Sequence, residues 1–491
     1  MSRSSTVVVL LVLVAVVLGG LGDALFQGQP LGANVLVWSV AFVAALTALV
    51  RVARAPLHQG RRLMVIPLLL FAALFLWHDS PLLVATNLLA LAAAVTMGAL
   101  RRTTPGLRSA TLSDYGGGAV AAAASAVVGG FALLLMDVPW RDVVRGARSE
   151  RALAVVRGLV IGMPLLVVFG VLFMAADAVF QNLVSALVPS LDPAFVERVV
   201  IVGIWAWLAG GILRDLLAPR EEARVVRGDL LSRRERRAGL GAVEACVVVG
   251  ALDLLFLAFV AVQFRYLFGG RGLVEARAHL TYAEYARHGF FELVTVAALT
   301  LPLLLVGDWL LRADARGRRA FRGLALVLVA LLFVVIASAL KRMRLYEQQY
   351  GLTELRIYAT GVILWIAVVC VWFALTVLRG RRHAFAVGAL VAGFAATLAL
   401  NVLDPDALIA RTNIDRPRVD VAYLSRLSDD AVPTLVARLD RLAPDDRRLL
   451  AIALARREPG GGDWRSWNAS RIDAAEALAA HRDELRTIAG G

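Results

Sequence analysis

What most limits the fold of this 491-residue chain is a succession of apolar stretches, each about as long as a bilayer is thick. Twelve stand out, at residues 6–22, 33–50, 63–77, 82–100, 118–136, 158–179, 197–217, 243–263, 289–310, 321–340, 357–378 and 384–403. A helix needs about 20 mostly apolar residues to cross the hydrocarbon core. There each backbone N–H and C=O has to bond within its own segment, which makes every such stretch a helix. Composition agrees. Hydrophobic residues make up 59%, charged residues 18%, and the mean hydropathy is +0.72, against roughly half apolar and a quarter charged in soluble domains. The expected fold is all-α: a polytopic transmembrane bundle of 11–13 spans over 1–403, then a small polar helical domain over 404–491.

Connectors such as Gln27-Gly28-Gln29-Pro30 and His78-Asp79-Ser80-Pro81 carry residues that end helices, and they mark turns between spans. The first stretch, Thr6 to Leu21, reads as a retained helix. Gly20-Leu21-Gly22-Asp23 lacks the small-x-small pattern of a cleaved signal peptide.

Arginine sets an orientation. Loops 137–157, 214–237, 312–322 and 379–382 carry five, eight, five and three basic residues; the loops between them, 180–198, 265–288 and 341–356, carry one, four and four. Short basic loops stay in the cytoplasm, so the residues after 403 are expected outside. The first half conflicts with this. Arg51, Arg54, Arg61 and Arg62 place 51–62 inside, and Arg101, Arg102 and Arg108 do the same for 101–117. A single crossing at 118–136 would then put 137–157 outside. Either that glycine-rich stretch is re-entrant or one flanking loop breaks the charge rule; an odd number of crossings is the reading adopted. In 139–157, Trp140, Val143, Val144 and Ala147 oppose Arg141, Arg145 and Arg148, as in a helix lying on the membrane surface or an ordinary solvated connector.

The net charge of +14 sits mainly in these short loops, without a basic stripe interleaved with aromatics, so nucleic acid is not an expected partner. Lys341 is the sole lysine, and with the Ala, Leu, Val and Gly bias this points to a G+C-rich bacterial source. The expected location is the bacterial cytoplasmic (inner) membrane. Cys246 and Cys370 lie inside apolar runs and form no disulfide or zinc pattern.

After Asn401 the chain turns polar. Asp404-Pro405 reads as an N-cap with proline at the first helical position. Val432, Leu435, Val436, Leu439 and Leu442 share a helical face, and Gly460-Gly461-Gly462 precedes a last helix near 470–488. Three or four short amphipathic helices are expected, too few to bury much core alone. Membrane lipid surrounds the spans, and 404–491 is the expected surface for an envelope protein partner.

Hydrocarbon cannot solvate an ionised side chain, so an acid at membrane depth is a site candidate. Asp253, about ten residues from either end of 243–263, is the first. A structural hydrogen bond to a neighbouring helix explains it equally well. Asp177, Arg265, Glu292, Glu347 and Arg356 fall on the expected outer side, with Tyr266, Tyr282 and Tyr285. They would line a polar pocket facing outward, or else make interfacial ion pairs and an aromatic belt. Thr281-Tyr282-Ala283-Glu284 fits a capping box. His279, Glu284 and His288 match no zinc spacing. Neither a P-loop nor a nucleophile elbow occurs, and no catalytic residue, metal or cofactor is expected.

Three stretches resemble a known family. They are Val262-Gln263-Phe264-Arg265-Tyr266-Leu267-Phe268-Gly269-Gly270, then Leu280-Thr281-Tyr282-Ala283-Glu284-Tyr285-Ala286-Arg287 with Gly289-Phe290-Phe291-Glu292-Leu293, and Asp404-Pro405-Asp406-Ala407-Leu408-Ile409-Ala410-Arg411. They are similar to bacterial polytopic membrane proteins grouped as domain of unknown function four-one-seven-three, with a relative, four-one-five-three. The likeness runs from about residue 20 to 440, with His288 in place of an arginine and Thr412 in place of an aromatic. It implies an integral membrane protein and brings no activity. A transporter or flippase is the first expectation, an envelope sensor or assembly protein acting through 404–491 the second. A polyprenyl-dependent glycosyltransferase, with Asp23 in the first outer loop, is the third.

Overall fold

The computed structural model describes residues 3–53, 59–100, 193–217, 240–268, 290–312, 315–457 and 463–490. The apolar stretches at 118–136 and 158–179 and the segment 139–157 lie outside the described residues.

Ten of the twelve expected stretches are helices: α1 (Arg3–Phe26), α2 (Ala33–Ala53), α3 (Gln59–Ala73), α4 (Pro81–Leu100), α5 (Pro193–Leu217), α6 (Ala242–Phe268), α7 (Phe290–Leu310), α8 (Ala315–Tyr350), α9 (Glu354–Thr376) and α10 (Arg382–Leu403). Five of them, α1, α2, α8, α9 and α10, are long and apolar enough to cross a membrane. Pro67 and Pro302 sit inside α3 and α7, a placement that membrane helices tolerate. The one β feature described is a two-residue parallel pairing of Leu240–Gly241 with Leu311–Arg312. The chain is an all-α polytopic membrane protein.

The helices form two packed groups. In the first, α1 lies along α2 and α5, and α3 along α4, around Leu18, Phe42, Leu49, Met64 and Leu213. Gly19 lets the α1 and α5 backbones touch, since a Cβ there would meet the Val202 carbonyl at 2.5 Å. Trp205 stacks on Phe26 at 4.9 Å. In the second, α8 is surrounded by α6, α7 and α9 around Phe321, Leu328, Leu332, Ile363 and Phe373. The groups join where α4 meets α10. There Asn87 and Asn401 exchange side-chain hydrogen bonds of 3.1 and 2.9 Å, and Phe71 meets Phe394 at 5.2 Å.

Beyond α10 come short helices α11 (Pro405–Asn413), α12 (Val421–Leu424), α13 (Val432–Ala437), α14 (Pro444–Ala455), α15 (Ala469–Ala480) and α16 (Arg482–Gly490). Their starts follow capping chemistry. The Asp404 carboxylate accepts from Ala407 N at 3.2 Å with Pro405 next in line, Asp420 accepts from Tyr423 N at 2.9 Å, and Asn468 accepts from Arg471 N at 3.2 Å. The last expected helix is two, separated at His481. These residues bury more than their length implied. Ile409, Leu424, Leu435, Leu450, Ala474 and Leu485 share one apolar cluster, to which α9 contributes Ile357.

Candidate functional site

Three connectors of the bundle, 27–32, 77–80 and 351–353, meet the C-terminal helices. From the first, Ala33 N bonds Trp467 O at 3.1 Å, and Arg471 donates to Leu31 O at 3.1 Å. Gly32 admits the Trp467 carbonyl, which would lie 2.6 Å from a Cβ. At the third, Asn413 both accepts from Leu352 N and donates to Leu352 O at 2.8 Å, while the Tyr423 hydroxyl accepts from Glu354 N at 2.9 Å. Gly351 has φ +80° here, and a Cβ would meet Asn413 Oδ1 at 2.6 Å.

The middle connector holds the densest polar chemistry. Asp430 receives Ser80 N at 2.8 Å, Asp79 N at 3.1 Å, His78 Nδ1 at 3.2 Å and the Ser470 hydroxyl. Ser428 Oγ stands 3.0 Å from an Asp430 oxygen and 2.5 Å from Asp406 Oδ2, so one hydroxyl proton serves two carboxyl groups. Asp406 also accepts from Ser428 N at 3.0 Å and is fully buried. Arg471 pairs with Asp79, and Arg457 with Asp429 at 3.2 Å. Asn468 donates to the Phe75 and His78 carbonyls at 2.9 Å.

Electrostatics separate the members. Burial alone would lower the His78 imidazole, but the hydrogen bond and charge of Asp430, with the charge of Asp404, hold it above its ordinary value. Burial also opposes ionisation of Asp430, yet His78, Ser470 and the Asp79 N–H hold its carboxyl below the usual range. Burial and then the Asp430 charge push Asp404 up to about 6. Asp79 and Asp429 are raised by burial against the pull of their arginines. Each member of the His78–Asp430 pair thus favours the charged form of the other, while burial opposes ionisation of Asp404 beside them. One nitrogen of His78 and one oxygen each from Asp404 and Asp430 lie within 4.8 Å of one another.

A family model described as a domain of unknown function (DUF4153) matches residues 65–437. The chain belongs to the DUF4153 family. This is the second of the two related families named from the motifs. No curated protein and no solved structure matches the chain. The DUF4153 match takes in His78, Asp404, Asp406 and Asp430 and ends before Ser470 and Arg471.

Most of the residues expected to form the polar pocket have side chains outside the described structure. Asp253 is inside α6, 7% exposed, and neither carboxylate oxygen has a hydrogen-bond partner among the described residues. Arg265 and Tyr266 lie in the last turns of α6 and Glu292 at the start of α7, with side chains outside the described structure. Asp177, Tyr282 and Tyr285 fall outside the described residues, as do His279, Glu284 and His288. Arg356 lies over the Tyr346 ring at 4.0 Å. Asp23 is in the last turn of α1 and buried, whereas the sequence reading put it in a loop. Reasoning from sequence took His78-Asp79-Ser80-Pro81 as a turn and Asp404 as a cap, and passed over Asp430. The usable signals were a histidine and an aspartate together between two apolar runs, and an Asp-Pro-Asp where the last span ends.

Proposed function

We propose that this DUF4153 protein is a lipid-handling transporter, flippase-like, that holds an amphiphile with its chain among the spans and its polar end at the junction. The observation that carries this reading is a cavity of about 620 Å³ between α4, α7, α9 and α10, lined by Leu89, Leu305, Val362, Trp365, Phe394 and others, with Tyr358 in its wall. Its volume is in the range of ligand sites, and its lining is almost wholly apolar. Tyr358 lies beside Ser80 and within reach of the Asp406 and Glu354 charges. The hydroxyls of Ser80 and Tyr358 are buried without a well-formed hydrogen bond. An acyl or polyprenyl chain suits the apolar length, and a headgroup hydroxyl or phosphate ester suits the hydroxyl end.

The arginine bias supports an orientation with the junction and the C-terminal helices on the outer face of a bacterial inner membrane. Filling the cavity tests the reading. Gly361→Phe and Ala93→Phe should each cut lipid retained through purification, read by mass spectrometry, and slow transfer of labelled lipid in proteoliposomes. Equal retention and transfer in both would end it.

A second reading, an envelope sensor or assembly protein, is favoured by the hold of the C-terminal helices on three connectors at once. A partner seated on 404–491 would act on α3–α4 and α8–α9 together. Partner capture that alters lipid transfer would join the two readings.

A further inference from the structure

We propose that His78, Asp404 and Asp430 bind one divalent transition-metal cation of the zinc or manganese class. Four observations lead there, and none depends on the lipid reading. First, a His78 nitrogen and a carboxylate oxygen from each aspartate already lie within 4.8 Å of one another. Bonds from zinc to imidazole nitrogen or carboxylate oxygen are about 2.0–2.2 Å. The three atoms therefore have to draw in by about an ångström, which turning the partly exposed Asp404 carboxylate supplies.

Second, His78 is 4% exposed, and its Nδ1 is turned to Asp430. The other nitrogen, Nε2, faces the Asn401 backbone at the end of α10. Nδ1 and the Asp430 oxygen are 3.2 Å apart, about the spacing of two ligand atoms on one tetrahedral zinc, so a cation can take the place of the proton between them. Third, among the described residues Asp79, Asp404, Asp406, Asp429 and Asp430 gather beside Arg457, Arg471 and His78, and a dication offsets that acidic excess. Fourth, one imidazole with two carboxylates suits zinc or manganese better than magnesium or calcium, which take all-oxygen sets. Water would complete the coordination.

The test uses the full-length protein in detergent, stripped with a chelator and titrated separately with Zn²⁺, Mn²⁺ and Mg²⁺ by calorimetry. One site per chain is expected, with zinc or manganese at least tenfold tighter than magnesium. Co²⁺ at the same site should give visible d–d bands. Asp404→Asn should weaken binding at least tenfold, while Asp415→Asn, an exposed partner of Arg438 and Arg441, leaves it unchanged. Asn is also a good N-cap and tolerates the left-handed backbone at 404, so that variant keeps the start of α11. A second readout needs no variant: zinc or manganese should raise the unfolding midpoint of the stripped wild type. No saturable site in the wild type, or equal affinity in Asp404→Asn, overturns the proposal and leaves an ion-pair network that only docks the C-terminal helices.

Discussion

At the scale of single residues, Asp430 decides most. It is the point where the connector between α3 and α4, the Ser428 turn and the start of α15 converge. Asp430→Ala leaves His78 and the Asp79 and Ser80 N–H groups without their shared partner, and breaking a buried pair this way costs about 3–5 kcal/mol. Thermal unfolding in detergent should show that loss. The couple also sets a pH window. Because the folded His78 value is raised, its contribution is complete below the unfolded value of about 6.5 and is lost as pH rises through the folded value. Because the folded Asp430 value is lowered, its contribution is present above about 3.8 and is lost as pH falls through the folded value. Asp404 has the opposite sign: with its value pushed up to about 6, it opposes folding as pH rises from the unfolded value towards 6. In metal-free protein at pH 8, Asp404→Asn should raise the unfolding midpoint, since it removes a buried charge and keeps the cap. A lower midpoint would show that the Asp404 charge stabilises the junction.

At the scale of elements, the bundle is joined by small contacts and the C-terminal helices by a true core. Asn87 and Asn401 link α4 to α10 by a reciprocal amide pair, worth about 1–2 kcal/mol at most between membrane helices. A double-mutant cycle with Asn87→Ala and Asn401→Ala should return a coupling of that size. Leu435 lies at the centre of the C-terminal cluster and is fully buried. Leu435→Ala should cost about 2–5 kcal/mol and loosen the whole docked face, seen as faster proteolysis after 404. Gly351→Ala faces two penalties, a left-handed φ and a clash with Asn413 Oδ1, and the strain alone amounts to about 1–3 kcal/mol. Helix positions and caps were legible beforehand because hydropathy and capping are local properties of a few neighbouring residues. The sharing of the Val432–Leu442 face between α13 and a short turn at Leu439–Arg441 was not legible, since both conformations bury the same side chains.

At the scale of the whole molecule, the connectors 27–32, 77–80 and 351–353 and the exit at 404 share one end of the bundle, as four pairs of adjacent antiparallel elements require. The orientation proposed from the arginine count puts that end outside. With Cys246 and Cys370 replaced, a single cysteine at the exposed Ala422 should react with an impermeant maleimide applied to intact spheroplasts. Reaction only after the membrane is opened would reverse the orientation. Exposed Trp464 and Trp467, next to the connector at 27–32, suit the headgroup layer on that same face.

The sequence alone determined the solvent and the element type. Apolar length, arginine bias and capping residues are additive and local, and from them followed a polytopic all-α membrane protein with a polar helical tail. Only the tertiary structure decided where chemistry gathers. His78 and Asp430 are 352 residues apart, and Ser470 and Asp404 beside them come from two further segments. A buried polar group finds its partner through the docking of distant elements, and nothing in the residues flanking either one encodes which partner that is.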